Sequence, residues 1–242
     1  FLIPKSITKL KSDIKIMNLK RIGKYIILSL SNHSAIVLHL GMSGRLQLVK
    51  SSSFYKKKHD HFILTTNKKY LLVLNDPRKF GFIDYDNIEN VYLKKYILNL
   101  GCDALSNKLT NLYLFSKISK TSVPIKQILL DQRIISGIGN IYASEILFLS
   151  KINPFKEGGL FNEKDCKKIL DNSKKVLLDA IDKGGSSIRD FKNISGVKGG
   201  FQKKFKVYDR EGLSCKRSGC KGTIIKKIIS NRSTFFCDTC QK

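Results

Sequence analysis

Four cysteines near the end of the chain have a spacing that implies metal chemistry. Cys215 and Cys220 have four residues between them, Cys237 and Cys240 have two, and sixteen residues separate the pairs. Zinc ribbons use a similar spacing, in which two short loops each present two thiolates to a tetrahedral ion. Such a site has no open position, so the ion would be structural. Disulfides are the alternative, and the expected reducing compartment disfavours them.

The elements that must position these sulfurs are two short runs, TIIKKII and STFFC, which predict a β-hairpin beneath the metal. The other two cysteines lie apart from this module. Cys166 falls on the apolar stripe of a predicted helix, which favours a buried core thiol, and Cys102 stands alone.

The formal charge of +26 and the pI near 9.9 indicate a polyanionic partner. Part of the lysine excess is also explained by drift toward AT-rich codons, because Lys, Ile, Asn, Phe and Tyr are all abundant. Arginine is more informative, since only eight of the 45 basic residues are arginine. Those eight are expected where a planar fork must contact a phosphate or a base: Arg21, Arg45, Arg78, Arg133, Arg189, Arg210, Arg217 and Arg232.

Localisation is predicted from the apolar runs. None reaches the length of a membrane span, and the first residues, Phe1 to Ser12, contain scattered lysines without a secretory apolar stretch. The sequence therefore predicts a cytoplasmic protein with reduced thiols.

The first part of the chain alternates apolar and polar residues with turn residues between the runs. This pattern predicts an antiparallel β-sandwich built from KYIILSL, SAIVLHL, GRLQLV, HFILTT, KYLLVLN and KFGFIDY.

After about Gly101 the period becomes helical. Val123–Gln132 and Asn140–Leu149 predict a helix pair joined by RIISGIG, and a longer amphipathic helix follows Asn153-Pro154 and ends at Gly184-Gly185. Its predicted apolar stripe consists of Cys166, Ile169, Leu170, Val176, Leu177, Ala180 and Ile181. Residues 192–204 lack periodicity and predict a mobile loop, and the expected domains are residues 1–100, 101–204 and 205–242.

Several strings together resemble the formamidopyrimidine-DNA glycosylase family. They are HLGMSGRL, KHDH, NDPRKFGF, SGIGNIYASE, VYDREGLSC and NRSTFFCDTCQK, and they follow the family's order from about Gly23 to Lys242. The resemblance implies an α+β multidomain fold. It consists of an N-terminal antiparallel β-sandwich, a helix-two-turns-helix domain and a C-terminal zinc finger hairpin with one structural Zn2+.

The resemblance implies phosphate contacts for three residues. Asn140 opens a helix after a glycine turn, where free amides favour an anion, although a simple N-cap is the alternative. Arg232 lies between the cysteine pairs, and the alternative interpretation is a solvated arginine on the hairpin. For Lys24, the alternative to a phosphate contact is a surface lysine on a strand. Lys24 and Arg232 are the candidate catalytic-site residues, because the family places them beside the lesion.

Met42, Arg78 and Phe80 resemble the family's wedge, which fills the gap left by an extruded nucleotide and contacts the orphaned cytosine. Turn tips are normally polar, so a methionine and a phenylalanine there favour insertion into a base stack. An arginine suits a base edge. Extrusion of a damaged base then becomes feasible.

The remaining implied DNA contacts are less distinctive. His39 and His59 match positions that touch DNA, yet each would otherwise be a packed or solvated histidine, and KKKHDH makes a poor metal site. Lys126 matches a lysine near the base pocket. Phe201 and Lys203 lie on the segment from Ile194 to Lys204, which matches the loop that closes over an oxidised purine.

One departure from the family is large. Its members begin with Pro-Glu-Leu-Pro-Glu, whose proline amine is the nucleophile and whose glutamate supplies a proton, and no match occurs in this sequence. Either roughly thirty residues precede Phe1 in the complete enzyme or the gene itself has lost its start. The first explanation is the expectation, since without those residues the sandwich would have open edges. The chain as given is expected to be inactive.

The resemblance implies a glycosylase and apurinic/apyrimidinic lyase that removes oxidised purines such as 8-oxoguanine and formamidopyrimidines. The expected partner is damaged duplex DNA, bound by a monomer in the bacterial nucleoid. Two alternatives stay open. One is an endonuclease VIII-like enzyme for oxidised pyrimidines, and the other is a non-catalytic lesion-binding protein.

Overall fold

The computed structural model describes residues 2–10, 13–186 and 199–242. The chain forms two compact units. The first comprises residues 1–98 and 183–202, and the second comprises residues 99–182 and 203–242. Within the described ranges, no helix combines the length and apolarity needed to cross a membrane.

The first unit consists of two antiparallel sheets and two short helices. One sheet has the order β1-β2-β3-β7 and the other has the order β4-β6-β5. The elements are β1 (Ile16–Ile22), β2 (Tyr25–Leu30), β3 (Ser34–His39), β4 (Arg45–Lys50), β5 (Asp60–Thr65), β6 (Tyr70–Asn75), β7 (Phe82–Asn87), α1 (Ile88–Leu93) and α2 (Lys95–Leu98).

One apolar core lies between the two sheets. Leu38 and Ile83 from the first sheet and Leu74 from the second are 2% exposed or less, and they belong to the same cluster as Phe62. Burial of these alternating side chains against one another provides the main driving force for this unit. The predicted β-sandwich and its six strands are confirmed.

Two details of this unit differ from the sequence prediction. β1 was missed because six of its seven residues are exposed, so the strand carries no apolar alternation. Lys24 was expected on a strand, but it lies in the two-residue turn Gly23-Lys24 between paired residues Ile22 and Tyr25. Gly23 has a φ of +56°, which a glycine adopts without strain.

The second unit is helical with a terminal hairpin. Its elements are β8 (Cys102–Asp103), α3 (Asn111–Ile118), α4 (Ile125–Leu130), β9 (Ile135–Ser136), α5 (Asn140–Ser150), α6 (Glu163–Asp182), β10 (Ile224–Ile229) and β11 (Arg232–Cys237).

The predicted helix pair is confirmed as α4 and α5. Helix α4 is shorter than expected, because Pro124 precedes its first residue and Asp131 is extended after its last. Helix α6 buries its apolar stripe as predicted, with one exception. Ile181 is 63% exposed, so its assignment to the stripe was wrong.

The end of the predicted loop contains a short helix that was not expected from the sequence. Phe201–Lys204 form a 3-10 helix, and the amide of Phe201 donates to the carbonyl of Gly185. The sequence pattern did not predict this short helix. Residues 192–198 of the predicted loop lie outside the described ranges.

A two-residue turn joins β10 to β11. Ser230 and Asn231 both have positive φ, at +47° and +60°, and Ile229 pairs directly with Arg232. This is the type I′ geometry, whose twist matches that of the flanking strands. The turn fixes the register of the hairpin.

Candidate nucleic-acid interface and metal centre

The four predicted cysteine ligands converge at the base of the β10–β11 hairpin. Their sulfur atoms all lie within 4.8 Å of one another. The Sγ atoms of Cys215 and Cys240 are 3.8 Å apart, and those of Cys220 and Cys237 are 3.7 Å apart. Four sulfurs at about 2.3 Å from a tetrahedral ion would be about 3.8 Å from each other. The cluster therefore fits a metal ion, and the described residues contain no other such group.

Backbone amides in and just after the first cysteine loop support two of the sulfurs. The amide of Arg217 donates to Cys215 Sγ and that of Gly222 donates to Cys220 Sγ, each at 3.4 Å. Arg217 Nε also donates to Cys240 Sγ at 3.2 Å. These donors favour the thiolate forms that bind a cation, whereas burial acts in the opposite direction and raises the pKa of Cys215 and Cys240.

Arg217 also links the cysteine module to α5. Its guanidinium donates to the carbonyl of Phe148 and lies 4.6 Å from the centroid of that ring. On the other side of the module, Gln241 Nε2 donates to the carbonyl of Ile152 at 2.8 Å. The hairpin is thereby held against the end of this helix.

A buried carboxylate on α5 fixes the start of the cysteine module. Glu145 is 3% exposed and accepts hydrogen bonds from the amides of Lys206, Val207 and Tyr208 at 2.9, 3.0 and 2.9 Å. Burial raises the pKa of Glu145, and the three amides act in the opposite direction. This residue was not predicted from the sequence. The available signal was one acidic residue among the apolar residues of NIYASEILFL.

Asn140 lies at the start of α5, where Gly139 is the N-cap without a side-chain hydrogen bond. The N-cap alternative for Asn140 is therefore wrong. Its side-chain Nδ2 donates to the carbonyl of Ser233 at 3.0 Å, which ties the helix to β11. The amides of the first turn remain oriented along the helix axis, as an anion site requires.

Lys126 binds the same hairpin from α4. It is 0% exposed, and its Nζ donates to the carbonyl of Ser233 at 3.0 Å and to Thr234 Oγ1 at 2.9 Å. Burial, with a smaller contribution from the charge of Arg232, lowers the pKa of Lys126 to about 7. The amine thus faces the hairpin in this structure, whereas the sequence prediction had it contacting DNA.

Arg232 begins β11 immediately after the turn and is exposed. The carbonyl of its neighbour Ser233 accepts hydrogen bonds from both Asn140 Nδ2 and Lys126 Nζ. The structure therefore fixes the backbone beside Arg232 and leaves its side chain accessible. Such an arrangement suits a phosphate contact.

In the first unit, two turns bring the predicted wedge residues together. Met42 lies in the turn between β3 and β4 and is 67% exposed, and Phe80 lies in the loop before β7 and is 54% exposed. The guanidinium of Arg78 lies 4.8 Å from the centroid of the Phe80 ring. Gly41 packs against the Phe80 backbone so closely that a Cβ there would lie 2.5 Å from the Phe80 carbonyl carbon. The two turns thus form one surface with exposed apolar tips.

His39 closes β3 within an aromatic cluster. Its ring centroid lies 4.9 Å from that of Tyr25 and 5.5 Å from that of Phe82. The Gly41 amide donates to His39 Nδ1 at 3.2 Å, so the imidazole also supports the turn of Met42. Burial and the charge of Lys24 lower the pKa of His39. The ring is therefore packed and favours its neutral form.

The other predicted contacts are dispersed. His59 precedes β5, half-buried, with its ring centroid 6.3 Å from that of His61. Lys24 is exposed in its turn, as is Lys203 in its 3-10 helix. Phe201 is 4% exposed, so the residue expected to cap a lesion is buried here.

Comparison with known proteins decides the family. A sequence model of the formamidopyrimidine-DNA glycosylase N-terminal domain matches residues 2–83, and one of the H2TH domain of that enzyme matches residues 100–192. A formamidopyrimidine-DNA glycosylase of Rickettsia felis is 41% identical over 230 residues, covering 95% of this chain and 82% of the relative. The chain belongs to the formamidopyrimidine-DNA glycosylase family.

Solved structures agree with this membership. The complex of Lactococcus lactis Fpg with DNA containing an abasic site has a TM-score of 0.89 at 30% identity, covering 98% of this chain and 86% of that one. A second complex of that enzyme, with DNA containing Fapy-dG, has a TM-score of 0.85 at 30% identity over 95% and 83% of the two chains. The α+β fold is therefore that of a family of DNA repair glycosylases.

Proposed function

We propose that this family member recognises oxidised purines, such as 8-oxoguanine and formamidopyrimidines, in duplex DNA and removes them. The observation that carries the proposal is the pair of adjoining turns with exposed Met42 and Phe80 beside Arg78. Two large apolar side chains exposed at turn tips are costly in water, and they gain stabilisation when inserted between bases. The wedge then occupies the place of the extruded nucleotide.

Phosphate contacts supply most of the affinity in this proposal. Exposed Lys24 and Arg232 and the start of α5 at Asn140 would each contact the DNA backbone, and the net charge of +26 favours the approach of DNA. Arg232 and Lys24 act beside the lesion, while His39 and His59 are supporting contacts.

The ion at the cysteine cluster is proposed to be zinc. Four thiolates in tetrahedral spacing match its preferences and leave no coordination position for a substrate. Zinc would therefore stabilise the hairpin and hold Arg232, and would take no part in bond breaking.

The chemical step is proposed from the family resemblance. In that family, a proline amine bonds to the sugar carbon as the damaged base departs, and a glutamate supplies the proton that opens the sugar ring to an iminium. Successive β- and δ-elimination then cleave the strand. Support for purine lesions comes from the neighbour solved with Fapy-dG DNA. The monomeric state is likewise a proposal.

The first experiment measures binding by the 242-residue chain. Fluorescence anisotropy would compare a duplex holding a tetrahydrofuran abasic analogue opposite cytosine with the undamaged duplex, across salt concentrations. We expect preference for the lesion and a steep loss of affinity with salt. Arg232→Ala should reduce the salt slope by about one unit, whereas Lys226→Ala, on the same hairpin and of equal charge, should change it little.

The second experiment tests the chemistry with the protein expressed from its own gene. Borohydride should trap a covalent adduct on an 8-oxoguanine:cytosine duplex. Absence of any adduct would refute the proposed glycosylase and lyase reaction. Faster trapping on an oxidised pyrimidine than on 8-oxoguanine would instead favour the endonuclease VIII-like alternative.

A further inference from the structure

A fully buried carboxylate lies between the two turns that carry the wedge. Asp76 follows β6 and is 0% exposed. Its Oδ1 accepts the hydroxyl of Ser43, in the turn of Met42, and its Oδ2 accepts the amide of Gly81 at 2.8 Å, next to Phe80. The carboxylate therefore bonds to both turns at once.

Ser43 completes the link to Arg78. While its hydroxyl donates to Asp76, its Oγ accepts the backbone amide of Arg78 at 3.2 Å. Ser43 is itself 8% exposed, so water does not readily replace these bonds. A chain of hydrogen bonds thus runs from the Met42 turn through Asp76 to both ends of the Arg78–Phe80 segment.

The backbone of Asp76 is held as well. Its amide donates to the carbonyl of His59 at 3.0 Å, and its carbonyl accepts the amide of Lys79 at 3.3 Å. His61 Nε2 lies 3.0 Å from the same carbonyl. The carboxylate consequently has a fixed position relative to the sheet, and it can transmit that position to the turns.

The charge state of Asp76 agrees with this geometry. Burial raises the pKa of this carboxyl, but the hydrogen bonds from Ser43 and Gly81, the nearby Arg78 amide and the charge of His61 outweigh burial and lower its pKa overall. An ionised carboxylate only accepts hydrogen bonds, so the polarity of the donors around it is set. The backbone contact of Gly41 with Phe80 removes the remaining space between the turns.

We propose that Asp76 is a positioning residue for lesion recognition, which joins the two turns so that Met42, Arg78 and Phe80 enter the DNA as one rigid unit. The inference rests on the proposed wedge function. Without the carboxylate each turn would move separately, and ordering both on binding would cost conformational entropy. The proposed contacts of Lys24, Arg232 and Asn140 with DNA phosphates do not depend on this carboxylate.

The test uses the 242-residue chain and a duplex with 2-aminopurine beside a tetrahydrofuran abasic analogue. The fluorescence gain on binding reports unstacking of that base, which fold stability alone does not change. Ser43→Ala and Asp76→Asn should lower this gain and reduce the preference for lesion over undamaged DNA about tenfold. Ser43→Ala removes only one hydroxyl and is expected to fold. It therefore still tests the proposal if Asp76→Asn does not fold.

Asp60→Asn is the matched control. Asp60 is a buried carboxylate of the same sandwich, 8% exposed, that accepts the Lys57 amide at 2.7 Å and Asn75 Nδ2 at 2.8 Å without touching either wedge turn. The preference of the Asp60→Asn variant for lesion over undamaged DNA should stay within about twofold of that of the unsubstituted chain. If Ser43→Ala and Asp76→Asn behave like Asp60→Asn, the positioning role is refuted.

Two reference variants separate this inference from the proposed function. Met42→Ala and Phe80→Ala should each reduce the 2-aminopurine signal. If neither does, the wedge itself is wrong and the proposed function loses its main support. If both do while the Ser43 and Asp76 variants retain the signal, only the positioning role is overturned.

Discussion

Replacing Glu145 should separate the start of the cysteine module from α5. The carboxylate accepts three backbone amides at 2.9 to 3.0 Å from a site that is 3% exposed. Each hydrogen bond to a charged acceptor contributes about 1.5–3 kcal/mol, so three contribute at least about 4 kcal/mol before the cost of burying the charge is subtracted. That cost is real, since burial raises the pKa of Glu145.

Glu145→Ala removes the acceptor and leaves three amide donors facing a cavity. Because breaking a buried charged network costs about 3–5 kcal/mol, we expect the free energy of unfolding to fall by that amount. Glu145→Gln should cost less, since its amide oxygen still accepts two of the donors while its NH2 group faces the third.

Urea denaturation followed by circular dichroism measures this loss, with free zinc held constant so that ligand linkage is equal in all variants. Glu211→Gln is the control, because Glu211 forms only an exposed pair with Lys226 at 3.6 Å. It should change stability by less than about 1 kcal/mol. A loss below about 1 kcal/mol for Glu145→Ala would refute the argument.

Two further predictions concern the second unit. The pKa of Lys126 is about 7 in the folded chain, below its usual value, so the unfolded chain binds more protons between about pH 7 and 10. Stability should therefore rise with pH in that window by up to about 1.4 kcal/mol per unit relative to Lys126→Met, and an unchanging difference between the two proteins would contradict this. Removal of metal by a chelator should release one zinc per chain, measured by atomic absorption, and weaken lesion binding; full binding by the metal-free chain would contradict the structural role of the ion.

The sequence predicted the parts of the fold in which local pattern and burial agree. The run SAIVLHL is buried along nearly its whole length in β3, and the alternation of HFILTT matches one buried face of β5. β1 was missed since its exposed residues follow no period. The short helices α1 and α2 were missed because six and four residues hold too little pattern for a periodicity argument.

The candidate site divides in the same way. Cysteine spacing and the Gly-Met-Ser-Gly turn are local signals, so the cysteine cluster and the exposed Met42 turn were found from sequence. Asp76 was not singled out, because its role depends on Ser43, 33 residues away in the chain. Lys126 was singled out from the sequence as a DNA contact. Its burial was not predicted, because it follows from hydrogen bonds to Ser233 and Thr234, more than 100 residues away.

The tight turn at Ser230-Asn231 makes the hairpin intolerant of changes in length. One end of the hairpin is fixed by Cys237 in the cysteine cluster and the other by the pairing of Ile229 with Arg232. An insertion at the tip that shifted the pairing by one position would turn the side chains of the shifted strand to the opposite face. The Ser233 carbonyl would then point away from Asn140 and Lys126. The loop between Cys215 and Cys220 should be equally intolerant of insertions, because its Arg217 donates hydrogen bonds to Cys215, Cys240 and Phe148.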